Sequence, residues 1–139
     1  MFNELFVIEY FERLFERLKD EEIKERSLKI DLMKGKAIAV IGPRRAGKTY
    51  FVLKFLKENN NSIYFDLEHA AFRYLTYNEF FEIISIYEER FNIKVKYVLL
   101  DEIQLIERWE ILVRSLLDSG YYVIVTGSSS KLLSKEIAT

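Results

Sequence analysis

Residues 37–57 limit the folds open to this chain more than any other segment. Residues 37–41 read Ala-Ile-Ala-Val-Ile, a continuous apolar run that is typical of a strand buried on both faces of a sheet. The octapeptide Gly42–Thr49 follows, and apolar residues then recur at helical spacing as far as Lys57. A buried strand, a glycine-containing loop and a helix in direct succession predict one unit of a parallel α/β sheet.

Three more apolar segments alternate with helical patterns along the chain. The predicted strands are residues 62–66, 97–101 and 121–126. One predicted helix begins at a capping box, Thr76–Glu79, and another covers residues 107–118 and ends near Gly120. Strands that alternate with helices and are apolar on both faces predict a three-layer α/β sandwich around a parallel sheet.

The first 34 residues differ in pattern from the rest of the chain. Residues 2–19 carry an apolar face and a charged face at helical spacing. We expect the apolar face to pack on the chain's own core; docking onto a partner or a further domain is the alternative. Residues 20–34 are charged and weakly periodic, which indicates a short helix and a linker. The predicted division is an N-terminal helical extension, residues 1–34, and a core, residues 35–139.

The composition of the 139 residues excludes several classes of protein. The net charge of −1 argues against a general binder of nucleic acid or of a membrane surface. The sequence has no cysteine, and His69 is its one histidine, so disulfides, thiolate metal sites and a serine–histidine triad are not expected. No apolar run approaches the length of a membrane span, which predicts a cytoplasmic globular domain. The absence of Cys, with much Ile, Glu and Lys, is typical of a thermophile.

The octapeptide Gly42–Thr49, which we call the phosphate loop, fits the pattern G-x-x-x-x-G-K-[ST] in full. Its glycines let consecutive backbone N–H groups point into a hollow of phosphate size, and the helix that begins near Gly47 adds its positive end. Lys48 is expected to reach the β- and γ-phosphates of a nucleotide, and the hydroxyl of Thr49 to bind Mg²⁺. The predicted nucleotide-binding residues are Gly42, Pro43, Arg44, Arg45, Ala46, Gly47, Lys48, Thr49 and Tyr50.

A pair of acidic residues follows the apolar strand at residues 97–100. Asp101 is predicted to hold the Mg²⁺ shell opposite Thr49. Glu102 is predicted to act as the general base toward the attacking water. Capping of a helix by the two carboxylates is the alternative for such a pair when no phosphate loop accompanies it.

A catalytic glutamate directly after the aspartate has a consequence for strand order. P-loop proteins of that kind insert an extra strand between the strand of the phosphate loop and the strand that ends at Asp101, and residues 122–126 are expected to be that strand. Its end would lie against the γ-phosphate, so Ser128 is the predicted sensor of this phosphate and Thr126 the second candidate. A serine-rich turn that caps a helix around residues 130–137 is the alternative.

Several other polar or aromatic residues have plainer interpretations. Asp66 and Glu68 follow a strand at the same sheet edge and are expected to be solvated loop carboxylates; contact with a partner or with a metal-bound water is the alternative. Local hydrogen bonding is expected of His69 and a core position of Trp109. The two arginines of the phosphate loop either bind phosphates or acidic groups of a neighbouring subunit, or are solvated or paired locally.

With these elements the chain resembles an archaeal-type ATPase of the AAA+ superfamily. The resemblance rests on Gly42–Thr49, on Asp101–Gln104 and on Thr126–Ser129, and it covers roughly residues 30–139. It implies a P-loop NTPase sandwich, binding of ATP or ADP with Mg²⁺, and slow hydrolysis. It also implies a C-terminal domain that binds nucleic acid or other partners.

The sequence ends before the pattern of these proteins is complete. They continue with a fifth strand and with arginines that serve as an arginine finger or a second sensor. We therefore expect this chain to be part of a longer protein whose homo-oligomer supplies the finger, and we expect the isolated chain to bind nucleotide far better than it hydrolyses it. A nucleotide-dependent switch or scaffold with little turnover is the second hypothesis. A small-molecule kinase is the third and the weakest, since an arginine-rich lid is missing.

Overall fold

A parallel sheet forms the centre of the computed structural model, which describes residues 2–20, 35–41 and 48–128. The strands are β1 (Ile38–Ile41), β2 (Ser62–Asp66), β3 (Tyr97–Asp101) and β4 (Tyr122–Gly127). The helices are α1 (Glu4–Asp20), α2 (Lys48–Glu58), α3 (Tyr77–Phe91) and α4 (Trp109–Asp118). Two 3₁₀ turns, Ala70–Phe72 and Ile103–Leu105, follow β2 and β3.

The four strands of the described sheet are all parallel and lie in the order β1-β4-β3-β2. This confirms the predicted α/β class and the predicted position of β4 between β1 and β3. The interiors of β2, β3 and β4 are buried, because parallel strands are joined by helices that cover the faces of the sheet.

Local sequence signals account for the helix ends. The capping box of α3 forms as predicted: the Thr76 hydroxyl accepts from the Glu79 N–H, and the Glu79 carboxylate accepts from the Thr76 N–H. The predicted helix at residues 107–118 begins two residues later than expected. Arg108 is in the left-handed region, with φ 54°, and this conformation interrupts the helix before Trp109.

Most of the apolar face of α1 packs on the chain's own core, as expected for residues 2–19, but Leu5 and Phe6 of that face are exposed. Its buried residues are Val7, Tyr10, Phe11 and Leu14. The ring of Phe11 packs edge-on against the rings of Phe65 in β2 and Tyr87 in α3. Burial of these side chains makes α1 part of the hydrophobic core of the described residues.

Tyrosine hydroxyls cover the outer edge of β2, a strand that has a described neighbour on one side only. The hydroxyl of Tyr10 donates to the carbonyl of Tyr64 and accepts from the N–H of Asp66, both at 3.0 Å. The hydroxyl of Tyr87 donates to the carbonyl of Ser62 at 2.8 Å. These contacts satisfy backbone groups that an adjacent strand would otherwise bind.

Three predicted features lie wholly or mostly outside the described residues. They are the helix and linker at residues 20–34, the phosphate loop, of which residues 42–47 are not described, and the helix around residues 130–137. The proposed division at residue 34 stays a prediction. None of the helices in the described ranges is long and apolar enough to cross a membrane.

Candidate active site

The carboxyl ends of β1, β4 and β3 meet at one edge of the sheet because the three strands are parallel neighbours. At this edge Ile41 pairs with Gly127, and Leu100 pairs with Val125. The phosphate loop connects Ile41 to the first turn of α2, which begins at Lys48. In open parallel sheets, ligands bind at the carboxyl ends of the strands, so this edge is the candidate site.

Asp101 is the last residue of β3, and its side chain is buried at this edge, with 5% of the residue exposed. Its Oδ2 accepts a hydrogen bond of 2.5 Å from the Tyr64 hydroxyl, and its Oδ1 accepts one from the Thr126 hydroxyl. Two hydroxyl donors on adjacent strands thus hold the carboxylate in place and offset part of the cost of its burial.

Strand register explains why these two hydroxyls reach Asp101. Tyr64 pairs with Leu99, so its ring lies diagonal to Asp101, within reach of a long side chain. Thr126 follows the pair Leu100–Val125 on the opposite side of β3.

Glu102 lies directly after β3 in a left-handed backbone conformation, with φ 62° and ψ 53°. Its N–H donates to Thr126 Oγ1 at 3.0 Å, and only 7% of Glu102 is exposed. Gln104 Nε2 donates to Glu102 Oε2 at 2.5 Å. A non-glycine residue in this region is uncommon and is retained where the surroundings fix it.

The protonation of the tyrosines follows from their burial. Burial, together with the charge of Asp101, raises the pKa of Tyr64 well above its ordinary value of 10. Burial likewise raises the pKa of Tyr10. Both phenols therefore stay protonated and donate hydrogen bonds throughout the physiological range. Burial also raises the pKa of Asp66, against the lowering effect of the Glu68 backbone N–H.

The structure places the other predicted residues as follows. His69 Nδ1 accepts from the Ala71 N–H, which confirms local hydrogen bonding. Trp109 is 4% exposed, which confirms its place in the core. Asp66 Oδ1 accepts from the Glu68 N–H in a local turn. Ser128 is half-buried directly after β4, and its role as sensor stays a prediction.

The residues predicted to touch nucleotide are only partly within the described ranges. The backbone of Lys48 and Thr49 forms the first turn of α2, and Tyr50 is half-buried in the same helix. Residues 42–47 lie outside the described part of the chain. The assigned roles of the phosphate loop therefore stay predictions.

Sequence reasoning did not identify Tyr64 as a donor to Asp101 or Gln104 as a donor to Glu102. It also did not identify Tyr10 as a donor to the Tyr64 carbonyl. A signal existed for Tyr64, because it shares one face of β2 with the polar Ser62 and Asp66 while Ile63 and Phe65 share the other. For Tyr10 the sequence offers only its place on the apolar face of α1, where any aromatic residue would fit the pattern.

No group of three or more His, Cys, Asp or Glu side chains that could hold a metal ion occurs among the described residues. Magnesium in nucleotide sites does not need such a group, since it is bound by one or two protein oxygens together with phosphates and waters. The buried carboxylate of Asp101 is a hard oxygen donor of the kind Mg²⁺ prefers.

A parallel sheet with β4 between β1 and β3, and a glycine-containing sequence between β1 and α2, is consistent with a P-loop NTPase-like fold. A family model described as an AAA domain matches residues 34–139. The chain therefore belongs to this AAA domain family, and membership indicates a nucleotide-binding, ATPase-like protein.

One relative is the uncharacterized protein MJ1544 of Methanocaldococcus jannaschii. It is 38% identical to this chain over an alignment of 124 residues, which covers 87% of this chain and 27% of that protein. The chain thus spans about a quarter of the length of this archaeal relative.

Proposed function

We propose that this chain binds ATP together with Mg²⁺ and hydrolyses it, in the class of AAA+ proteins with a catalytic glutamate. The observation that carries the proposal is the buried pair Asp101 and Glu102 at the sheet edge where the phosphate loop leaves β1. Two carboxylates held by neighbouring hydroxyl and amide donors at that edge are suited to metal-assisted attack of water on a phosphate.

Each motif has a role in this proposal. The phosphate loop and Tyr50 hold the phosphates, with Lys48 at the β- and γ-phosphates. Thr49 and Asp101 hold Mg²⁺, which when bound neutralises charge on the phosphates. Glu102 accepts a proton from the attacking water, and Ser128 contacts the γ-phosphate.

The proposal extends to partners. An arginine from a neighbouring subunit would stabilise the charge of the transferring phosphate, a contribution of about 10³–10⁵ in rate. The isolated chain is therefore expected to release phosphate slowly. Coupling to a protein or nucleic-acid partner would require parts of the protein outside the phosphate site.

Calorimetric titration with ATP, ADP and GTP, with and without Mg²⁺, tests the binding step, and phosphate release from the same samples tests hydrolysis. Lys48→Ala is expected to weaken nucleotide binding. Glu102→Gln is expected to keep ATP binding and to lower the rate of phosphate release by about 10²–10⁴-fold.

The results separate the hypotheses for this site. Tight ATP binding with a release rate that Glu102→Gln does not change would favour a nucleotide-dependent switch without turnover. Absence of nucleotide binding by the unmodified chain would contradict the proposed function.

A further inference from the structure

The one glutamine of the sequence, Gln104, lies beside the carboxylate proposed as the general base. The 3₁₀ turn after β3 brings it there: the Leu105 N–H donates to the Glu102 carbonyl at 3.1 Å, so the chain folds back on itself. Gln104 Nε2 then donates to Glu102 Oε2 at 2.5 Å. This is a charge-assisted contact between two residues of one tight turn.

The chemistry of the two groups fixes the orientation of the amide. An ionised carboxylate only accepts hydrogen bonds, so the NH₂ end of Gln104 must face Glu102. The opposite end, Oε1, is buried and has no hydrogen-bond partner among the described residues. A buried acceptor left in that state destabilises the folded chain. Packing alone does not explain a side chain placed at such a cost, whereas the contact with Glu102 does.

The backbone of Glu102 is already fixed by its left-handed conformation and by the hydrogen bond from its N–H to Thr126. The carboxylate lies at the end of a flexible side chain, and a fixed backbone does not set its direction. Gln104 supplies a contact that acts on the carboxylate itself.

We propose that Gln104 is a positioning residue for ATP hydrolysis, an inference that rests on the proposed function. Its Nε2 orients the Glu102 carboxylate toward the attacking water. A water whose O–H bond points to the oriented Glu102 carboxylate directs a lone pair at the γ-phosphorus. One proton then passes to Glu102, the new O–P bond forms, and the bond to the β,γ-bridging oxygen breaks to release ADP.

The test uses the full chain and Gln104→Met, which keeps the length of the side chain and removes its hydrogen-bonding groups. The dissociation constant for ATP is expected to stay unchanged, and the single-turnover rate of phosphate release to fall about 10²-fold. In a Glu102→Gln background the same substitution is expected to cost nothing further, since it acts through Glu102. Leu105→Met, at a half-exposed position of the same turn, is the matched control and is expected to leave both quantities unchanged.

A second readout does not depend on turnover. The side-chain amide of Gln104 gives the one glutamine NH₂ signal in a ¹H–¹⁵N NMR spectrum. We expect this signal to move in Glu102→Ala, which removes the carboxylate without adding a second glutamine. In the unmodified chain we expect it to move when ADP, Mg²⁺ and aluminium fluoride imitate the transferring phosphate. An amide signal that responds to neither change would overturn the inference, as would additive losses in the double variant. An unmodified chain that releases no phosphate would reject the hydrolysis itself.

Discussion

At the scale of single residues, the most informative contact is the one between a phenol and a buried carboxylate. Tyr64 of β2 donates to the Asp101 carboxylate at 2.5 Å, and Tyr87 donates to the neutral carbonyl of Ser62, also in β2, at 2.8 Å. Both tyrosines are buried, and in both cases a change to Phe removes only the hydroxyl. The two positions therefore form a matched pair in which the charge of the acceptor differs.

Tyr64→Phe is expected to lower the free energy of unfolding by about 1.5–3 kcal/mol, the range for hydrogen bonds to charged groups. Tyr87→Phe is expected to cost about 1 kcal/mol, as a neutral hydrogen bond does. Urea denaturation followed by circular dichroism measures both values. Equal losses in the two variants would contradict a charge-assisted role for the Tyr64 hydroxyl.

At the scale of elements, one hydroxyl of α1, that of Tyr10, binds backbone groups at the outer edge of β2 that an adjacent strand would otherwise bind. In Tyr10→Phe the Tyr64 carbonyl and the Asp66 N–H lose their shared partner. We expect faster hydrogen exchange at the Asp66 amide and a loss of about 1–3 kcal/mol in the free energy of unfolding. Tyr77→Phe is the control, because that hydroxyl binds the carbonyls of Glu107 and Arg108 away from β2. Unchanged exchange at Asp66 in Tyr10→Phe would show that the hydroxyl does not close this edge.

The capping box of α3 predicts a dependence of stability on pH. The Thr76 backbone N–H donates to the Glu79 carboxylate and lowers its pKa. A carboxyl whose folded pKa is depressed stabilises the fold above its unfolded pKa, and this contribution is lost as the pH falls through the folded value. Glu79→Gln keeps a cap but removes the titration, so its stability should fall less between pH 5 and pH 3. Unfolding of the unmodified chain and of Glu79→Gln, measured across that pH range, gives the two curves. Parallel curves would contradict this role of the Glu79 carboxylate.

At the scale of the whole molecule, the sequence predicted the sheet better than the site. Buried strands carry apolar runs that can be recognised one at a time, and the Asp-Glu pair indicated that β4 lies between β1 and β3. The Tyr64–Asp101–Thr126 network could not be predicted in the same way, because it depends on the register of three strands that are distant in sequence. The start of α4 was misplaced because the left-handed conformation of Arg108 is not apparent from its residue type.

Ligand binding to a marginally stable fold should appear as a change in the melting of the whole chain. If ATP binds the folded state alone, a concentration 100 times its dissociation constant adds about 2.7 kcal/mol to the free energy of unfolding. For a chain of this size that raises the melting temperature by about 10 °C. Thermal unfolding with Mg²⁺ and ATP, compared with EDTA and ATP, measures the shift and its dependence on the metal. Lys48→Ala should lose most of the shift at the same ATP concentration. An equal shift in that variant would place the nucleotide away from the phosphate loop, and the Asp101–Glu102 edge would then need another ligand.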